Sequence, residues 1–258
     1  MTQRHQKEKI GRTLEWQIAD SSSPPSLLEN QLHLWLVPLS LDSEQQESAI
    51  ELLNDTQRDK YQRRATPALK QAYLAGRYHL MNMLGGYNCT PAQQVRINYS
   101  RLNKPYLNPN PSDIQFNFTD TVIDSNSVAL LAFTRFKAVG VDIESLSRRS
   151  NFAAIVEKRF TPAETSYVTQ DDGSIDARRF LAYWTRKEAY GKATGQGINF
   201  KMNEMDLASP NSFNLKFEGK AQPVQPFSLQ QIQIGEDLIS SVVHQGHQNI
   251  EIKGFNIP

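Results

Sequence analysis

Cysteine is almost missing from this 258-residue chain: Cys89 stands alone. A lone thiol closes no internal disulfide, so nothing points to an oxidising compartment. No base stands near Cys89 in sequence to make it a nucleophile. Long apolar runs are missing too. The most apolar stretch, Val128 to Phe133, is far too short to span a bilayer. The opening residues MTQRHQKEKIGRTLEWQ hold no apolar run, so no signal peptide is read there, and the chain reads as soluble and cytoplasmic. An excess of either charge is absent: 28 basic against 27 acidic residues leave a net charge of +1. That balance gives no global reason to expect nucleic acid or an anionic membrane as partner. The five histidines, at 5, 33, 79, 244 and 247, fall outside the chemistry-bearing motifs described below, and His244 and His247 read as surface residues near the end of a tail strand. What remains is 39% hydrophobic and 21% charged, the composition of a chain with a real core.

Residues 1–30 are polar, end in a segment containing SSSPPS, and read as a loosely ordered extension. Leu32 to Pro38 alternates like a strand. Ser43 to Arg64 reads as a helix capped by Ser43, and Pro67 to Leu84 as a second helix stopped by Gly85-Gly86. Strands follow near residues 94–99, 115–118, 128–134 and 139–144. A helical stretch from Phe152 to Thr169 restarts at Thr161-Pro162. Asp176 to Thr194 is the strongest helical pattern, closed by Gly195, and four strand-like runs fill the tail at 213–218, 226–234, 237–243 and 249–255. KYQRRATPALKQAYLAGRYHLM in the first half echoes KRFTPAETSY and RRFLAYWTRKEAYGKA in the second. The echo suggests an α/β (α+β) fold of two similar halves, 31–137 and 138–258, with the boundary near Arg135–Ala138; two unrelated amphipathic helices would also look this way. If the halves are real, the cleft between them is the place to look for a site.

Three groups of residues carry chemistry. In Val139-Gly140-Val141-Asp142-Ile143-Glu144 a strand puts Asp142 and Glu144 on one face and Val141 and Ile143 on the other. Two carboxylates side by side repel unless a cation lies between them, and such oxygen ligands suit Mg²⁺. A solvent-facing strand end would carry the same residues. In FLAYWTRKEAYGK, Phe180, Trp184 and Glu188 share a helical face, with Lys192 one turn on. Glu188 thus ends an aromatic stripe and could supply a third carboxylate, or simply pair with Lys192 on the surface. The third group is basic: Arg58, Lys60, Arg63, Arg64 and Arg77, with Lys104 stiffened by Pro105. It fits either a phosphate pocket or a solvated face.

Taken in order, Lys-Pro-Tyr at 104–106, Phe116-Asn117-Phe118-Thr119, VGVDIE, RFTPAE and FLAYWTRKEAYGKATGQG resemble the phosphopantetheinyl transferases of the surfactin-synthetase-activating (Sfp) type, from about Leu52 to Phe200. The resemblance implies a two-half α/β fold with pseudo-two-fold symmetry, each half a small sheet packed with a long helix. It also implies Mg²⁺-dependent (or Mn²⁺-dependent) transfer of 4′-phosphopantetheine from coenzyme A to a serine of an acyl or peptidyl carrier protein; a monomer is expected, because both halves of the cleft lie in one chain. Asp142, Glu144 and Glu188 would hold the metal. Glu188 would help remove the serine proton, and Lys192 would support the departing 3′,5′-ADP. Lys60, Arg63, Arg77 and Lys104 would grip coenzyme A phosphates, and Thr119 stands where the family usually has a coenzyme A-contacting serine. One position departs: the family often has histidine where this chain has Asp120, and an aspartate repels phosphate unless it turns away. A carrier-protein contact is expected around Ile198 to Met202, after the Gly195-x-Gly197 turn. Asp-x-Glu with a distant Glu and Lys also suits a metal-dependent nuclease or phosphohydrolase. Asp120 leaves room for a non-catalytic module that only binds coenzyme A or a carrier protein.

Overall fold

A computed structural model describes residues 11–123, 126–197, 201–207, 216–217, 227–246 and 250–258. Alternation of apolar residues along the strands builds four layers. A five-stranded sheet runs in the order β2 (Trp16–Ile18), β13 (Glu251–Asn256), β3 (Gln31–Pro38), β7 (Asn126–Arg135), β6 (Ile114–Ile123). A four-stranded sheet runs β1 (Arg12–Thr13), β11 (Phe227–Ile234), β12 (Leu238–Gln245), β8 (Val139–Ser145). Short pairs join β4 (Ile97–Tyr99) to β5 (Pro105–Leu107), and β9 (Met205–Asp206) to β10 (Lys216–Phe217). Along β7, Leu131 and Phe133 face one way and Leu130 and Ala132 the other. The first pair joins Trp35, Val37, Leu80 and Leu84 in a core beneath the helices α1 (Ser43–Leu52) and α3 (Pro67–Tyr87). The second joins Leu32, Leu34, Val139, Val141, Ile143, Ile232 and Val242 in a core between the two sheets. The outer face of the four-stranded sheet carries α4 (Phe152–Arg159), α5 (Pro162–Val168) and α6 (Ala177–Thr194). The fold is thus a mixed α/β one, in which the two larger sheets share a core and each takes strands from both ends of the chain.

Several sequence readings change. The helix expected over Ser43–Arg64 is two: α1 ends at Leu52, and α2 (Asp55–Gln62) starts afresh from Asn54, whose side chain accepts from the Gln57 N–H in a capping box. Two capped starts satisfy donors that one long helix would not need satisfied, so the asparagine breaks it. Gly85-Gly86 lies inside α3 rather than ending it, because Gly85 lets the backbone of Thr90 and Ala92 approach; a Cβ there would lie 2.6 Å from the Thr90 carbonyl oxygen. The described part of the polar extension is built into the fold. β1 pairs parallel with β11, β2 pairs parallel with β13, and Leu14 is buried in the inter-sheet core. His244, read as a surface residue, is fully buried on β12, where burial pulls its pKa down. His247 lies outside the described residues.

The contact that places the site is between β8 and α6. A Cβ on Gly140 would lie 2.1 Å from the Ala189 carbonyl oxygen and 2.3 Å from the Ala193 nitrogen. Both are backbone atoms, so only glycine lets this helix lie directly on this strand. The helix is held from its far side by a buried ion pair, Lys187 Nζ to Glu164 Oε2 at 2.8 Å. Lys187 also donates to the carbonyls of Met202 and Met205, and Glu164 accepts from the Leu207 N–H. Gly140→Ala is therefore expected to destabilise the fold by about 3 kcal/mol, through overpacking against backbone that cannot swing aside. Chemical denaturation reads the loss, and an unchanged midpoint would show that α6 does not lie this close.

Candidate active site

The site forms where the edge strands of the two sheets, β6 and β8, meet the C-terminal half of α6. On β8 the core-facing Val139, Val141 and Ile143 alternate with Gly140, Asp142 and Glu144, which face α6. On β6, Asn117 and Thr119 point at β8. The Asn117 side-chain oxygen accepts from the Val141 N–H at 3.0 Å, and the Thr119 hydroxyl donates to Asp142 Oδ1 at 3.0 Å. From α6, Lys192 Nζ donates to Asp142 Oδ1 at 2.7 Å and to the Val141 carbonyl at 3.2 Å. Asp142, Thr119 and Lys192 thus form one cluster from three elements. The surface pairing of Lys192 with Glu188 open from the sequence gives way to this pairing with Asp142.

The expected aromatic stripe is present. Phe180 stacks on Phe152 at 4.4 Å and lies 6.1 Å from Trp184. Trp184 donates its Nε1–H to Glu144 at 3.2 Å. Glu144 is also bound by Arg148, whose guanidinium lies 5.7 Å over the Trp184 ring. Burial first, then the charge of Asp142, pushes the Glu144 pKa up to about 7. The same two causes, in the same order, raise that of Glu188. Each carboxylate is therefore within electrostatic reach of Asp142, and both resist full ionisation in the absence of a counter-charge.

The residues suit a hard divalent cation in chemistry, since they offer oxygen donors of negative charge. The other oxygen of Asp142, Oδ2, is buried with no hydrogen-bond partner among the described residues, an acceptor left open beside the two other carboxylates. As the side chains stand, no three acidic, histidine or cysteine groups among the described residues converge closely enough to enclose a metal ion. Lys192 on Asp142 and Arg148 on Glu144 supply the positive charge instead.

The basic residues divide. Lys60 and Arg77 line a cavity of about 290 Å³ against α3, together with Arg64, Tyr73, Phe118 and Asp120. Arg64 and Arg77 lie 5.0 and 5.6 Å from the centre of the Tyr73 ring, so one aromatic face system orders both guanidiniums. Arg63 does not line this cavity; it is the exposed C-cap of α2, and the neighbouring Arg64 lines the cavity. In the sequence Arg64 is one more basic residue, and nothing distinguishes it from Arg63 until the turn after α2 separates them. Lys104 lies elsewhere. Its Nζ donates to the Ala193 carbonyl at 2.5 Å near the C-terminus of α6, and burial pulls its pKa down to about 8. It lines a second, smaller cavity with Asn117, Gly191, Lys192 and Gly195. Alternation along β6 settles where Asp120 goes: with Thr119 turned to Asp142, Asp120 and Phe118 turn into the basic cavity. Of the stretch expected to meet a carrier protein, 198–200 lie outside the described residues, and Met202 is buried rather than exposed.

A model of the 4′-phosphopantetheinyl transferase superfamily (ACPS) matches residues 138–243, which contain β8 and α6. The 4′-phosphopantetheinyl transferase HetI of Nostoc sp. is 31% identical over 189 residues, 72% of this chain and 78% of that protein. A putative 4′-phosphopantetheinyl transferase of Synechocystis sp. is 29% identical over 149 residues, 57% of each chain. An L-aminoadipate-semialdehyde dehydrogenase-phosphopantetheinyl transferase of Eremothecium gossypii is 32% identical over 176 residues, 65% of this chain and 60% of that one. With a match of this extent to HetI, and with the family's own segment forming the wall that carries Asp142, Glu144, Glu188 and Lys192, the chain belongs to the 4′-phosphopantetheinyl transferase superfamily.

Proposed function

We propose that this protein is an Sfp-type enzyme that transfers 4′-phosphopantetheine from coenzyme A to a serine of an acyl or peptidyl carrier protein with Mg²⁺ bound. The observation that carries the reading is the meeting of Thr119, Asp142 and Lys192 at the β6–β8–α6 junction, with the basic cavity on the opposite face of β6. One strand thereby offers its two faces to one ligand: Asn117 and Thr119 toward the carboxylates, Phe118 toward Lys60, Arg64 and Arg77. Residues 31–137 would supply the coenzyme A phosphate pocket, and 138–258 the metal and catalytic groups. Both walls come from one chain, which suits a monomer.

Asp142, through its free oxygen, Glu144 and Glu188 would hold the metal ion. When bound, Mg²⁺ supplies positive charge to the transferring phosphoryl group. Glu188 then accepts the proton of the carrier serine as its oxygen attacks phosphorus; burial, which raises the pKa of this half-buried carboxylate, makes it a stronger base than an exposed one. The bond that breaks joins that phosphorus to the bridging oxygen of the pyrophosphate, and 3′,5′-ADP leaves. Lys192 donates to the phosphate oxygens on which that negative charge gathers. Lys60, Arg64 and Arg77 hold the nucleotide phosphates, while Thr119 keeps Asp142 in place. Lys104 acts through the carbonyls at the end of α6, the helix carrying Lys192.

The decisive measurement is the intact mass of an apo carrier protein incubated with this protein, coenzyme A and Mg²⁺. A gain of one phosphopantetheinyl group is expected, lost with EDTA or with the acceptor serine changed to alanine. Glu188→Gln should slow the transfer by at least about a hundredfold while leaving the fold intact. No gain with acyl and peptidyl carriers alike would overturn the assignment.

Two further outcomes follow from charge. The carboxyl of Glu144 must be ionised to bind a cation, and its pKa near 7 means that protons compete with metal below that value. At limiting Mg²⁺, activity should therefore fall as the pH drops from about 8 to 6, and saturating Mg²⁺ should move the fall to lower pH. A profile indifferent to Mg²⁺ would exclude Glu144 as a ligand. Asp120 places a negative charge in the phosphate cavity. Asp120→Asn should tighten coenzyme A binding by roughly threefold to tenfold, measured by calorimetry, with the effect shrinking at high salt. Weaker binding would show that Asp120 contacts the ligand favourably.

A further inference from the structure

Arg148 has no role in the reaction just described, yet it is the residue bound to Glu144. It lies four residues beyond Glu144, and its guanidinium makes an ion pair with that carboxylate while covering the Trp184 ring at 5.7 Å. Trp184 donates to the same Glu144 oxygen at 3.2 Å, so guanidinium and indole hold the carboxylate between them. Arg148 thus occupies one of the three carboxylates proposed for the metal, and the acidic groups among the described residues do not converge while it is there. The pair lies at the rim: the Arg148 side chain is 27% exposed and that of Glu144 15%. A long basic side chain in that position can leave for water while its aliphatic stem stays packed.

Resting on the metal reading above, we infer that Arg148 is an internal counter-ion for the metal-free site, exchanged for the divalent cation when the site loads. Without metal, Arg148 faces Glu144 as its ion-pair partner. With metal, the same positive charge is a competitor and a source of repulsion, and it swings out to solvent. The exchange lowers the affinity for metal and keeps the empty site folded, because the buried carboxylates always face a cation. Lys192 does the same for Asp142 but takes only Oδ1, leaving Oδ2 open. Arg148 is therefore the group that has to move.

The test separates this role from simple structural support. Thermal unfolding and calorimetric titration with Mg²⁺ and with Mn²⁺ are run on the full chain, wild type and Arg148→Ala, in EDTA and in saturating metal. The expected result has opposite signs. Arg148→Ala melts lower than wild type in EDTA, recovers most of that loss in metal, and binds Mg²⁺ roughly threefold to tenfold more tightly. Arg148→Lys keeps the charge and should stay close to wild type in both. A loss of stability equal in EDTA and in metal, or unchanged or weaker metal affinity, overturns the exchange and leaves Glu144 as a ligand. Should wild type itself show no metal-dependent shift, the metal reading falls and the exchange with it. If Arg148→Ala does not fold, Arg148→Gln, which retains a hydrogen bond to Glu144 without the charge, carries the same comparison.

Discussion

Everything at the site depends on the absence of a side chain at Gly140. The strand β8 and the helix α6 touch backbone to backbone there, and no spacer separates them. From that point the positions follow by geometry. Two residues on, Asp142 meets Lys192; four residues on, Glu144 meets Trp184. A larger residue would push the helix outward by more than a hydrogen bond can stretch, and both pairings would open together. The buried Lys187–Glu164 pair works on the opposite side of the helix, tying α6 to α5 and to the carbonyls of Met202 and Met205. A buried ion pair adds little net stability, but it tolerates only one arrangement. Here it fixes the rotation of the helix that Gly140 fixes in distance.

The second constraint is charge. Three carboxylates brought near one another in a partly buried corner cannot stay ionised alone. Asp142 is answered by Lys192 and by the Thr119 hydroxyl, Glu144 by Arg148 and the Trp184 indole. Glu188 is influenced by Lys192, Arg159 and Arg148 at longer range. The corner is therefore a set of acids already supplied with internal cations.

Much of this was legible in the sequence because it depends on short-range periodicity. Period two along VGVDIE separated Val141 and Ile143 from Asp142 and Glu144, and the structure keeps that separation. Period four along α6 aligned Phe180, Trp184 and Glu188, and the rings of Phe180 and Trp184 do stack. What the sequence hid depends on contacts distant along the chain. Lys104 reads as a free cation before proline; only the packing of its loop on the end of α6 turns it into a donor to the Ala193 carbonyl. His244 reads as polar surface, yet it is fully buried, on the face of β12 that Val242 turns to the other sheet. The polar segment before residue 31 looks unable to bury anything, and it joins both sheets through backbone hydrogen bonds, which composition does not report.

Asp120 shows how one local rule and one long-range fact combine. Alternation alone says that Asp120 and Thr119 face opposite ways, but not which faces the carboxylates. The bond from Thr119 to Asp142 decides it, and Asp120 is thereby committed to the cavity of Lys60, Arg64 and Arg77. Had the strand been shifted by one residue, Asp120 would stand as a fourth acid beside Asp142, and the corner would need another cation. In the register observed, the aspartate instead offsets part of a basic cluster whose own repulsion is large, with two guanidiniums against one tyrosine ring. Its cost falls on anion binding and its benefit on the empty cavity, the same trade that Arg148 makes for the metal with the signs of charge reversed.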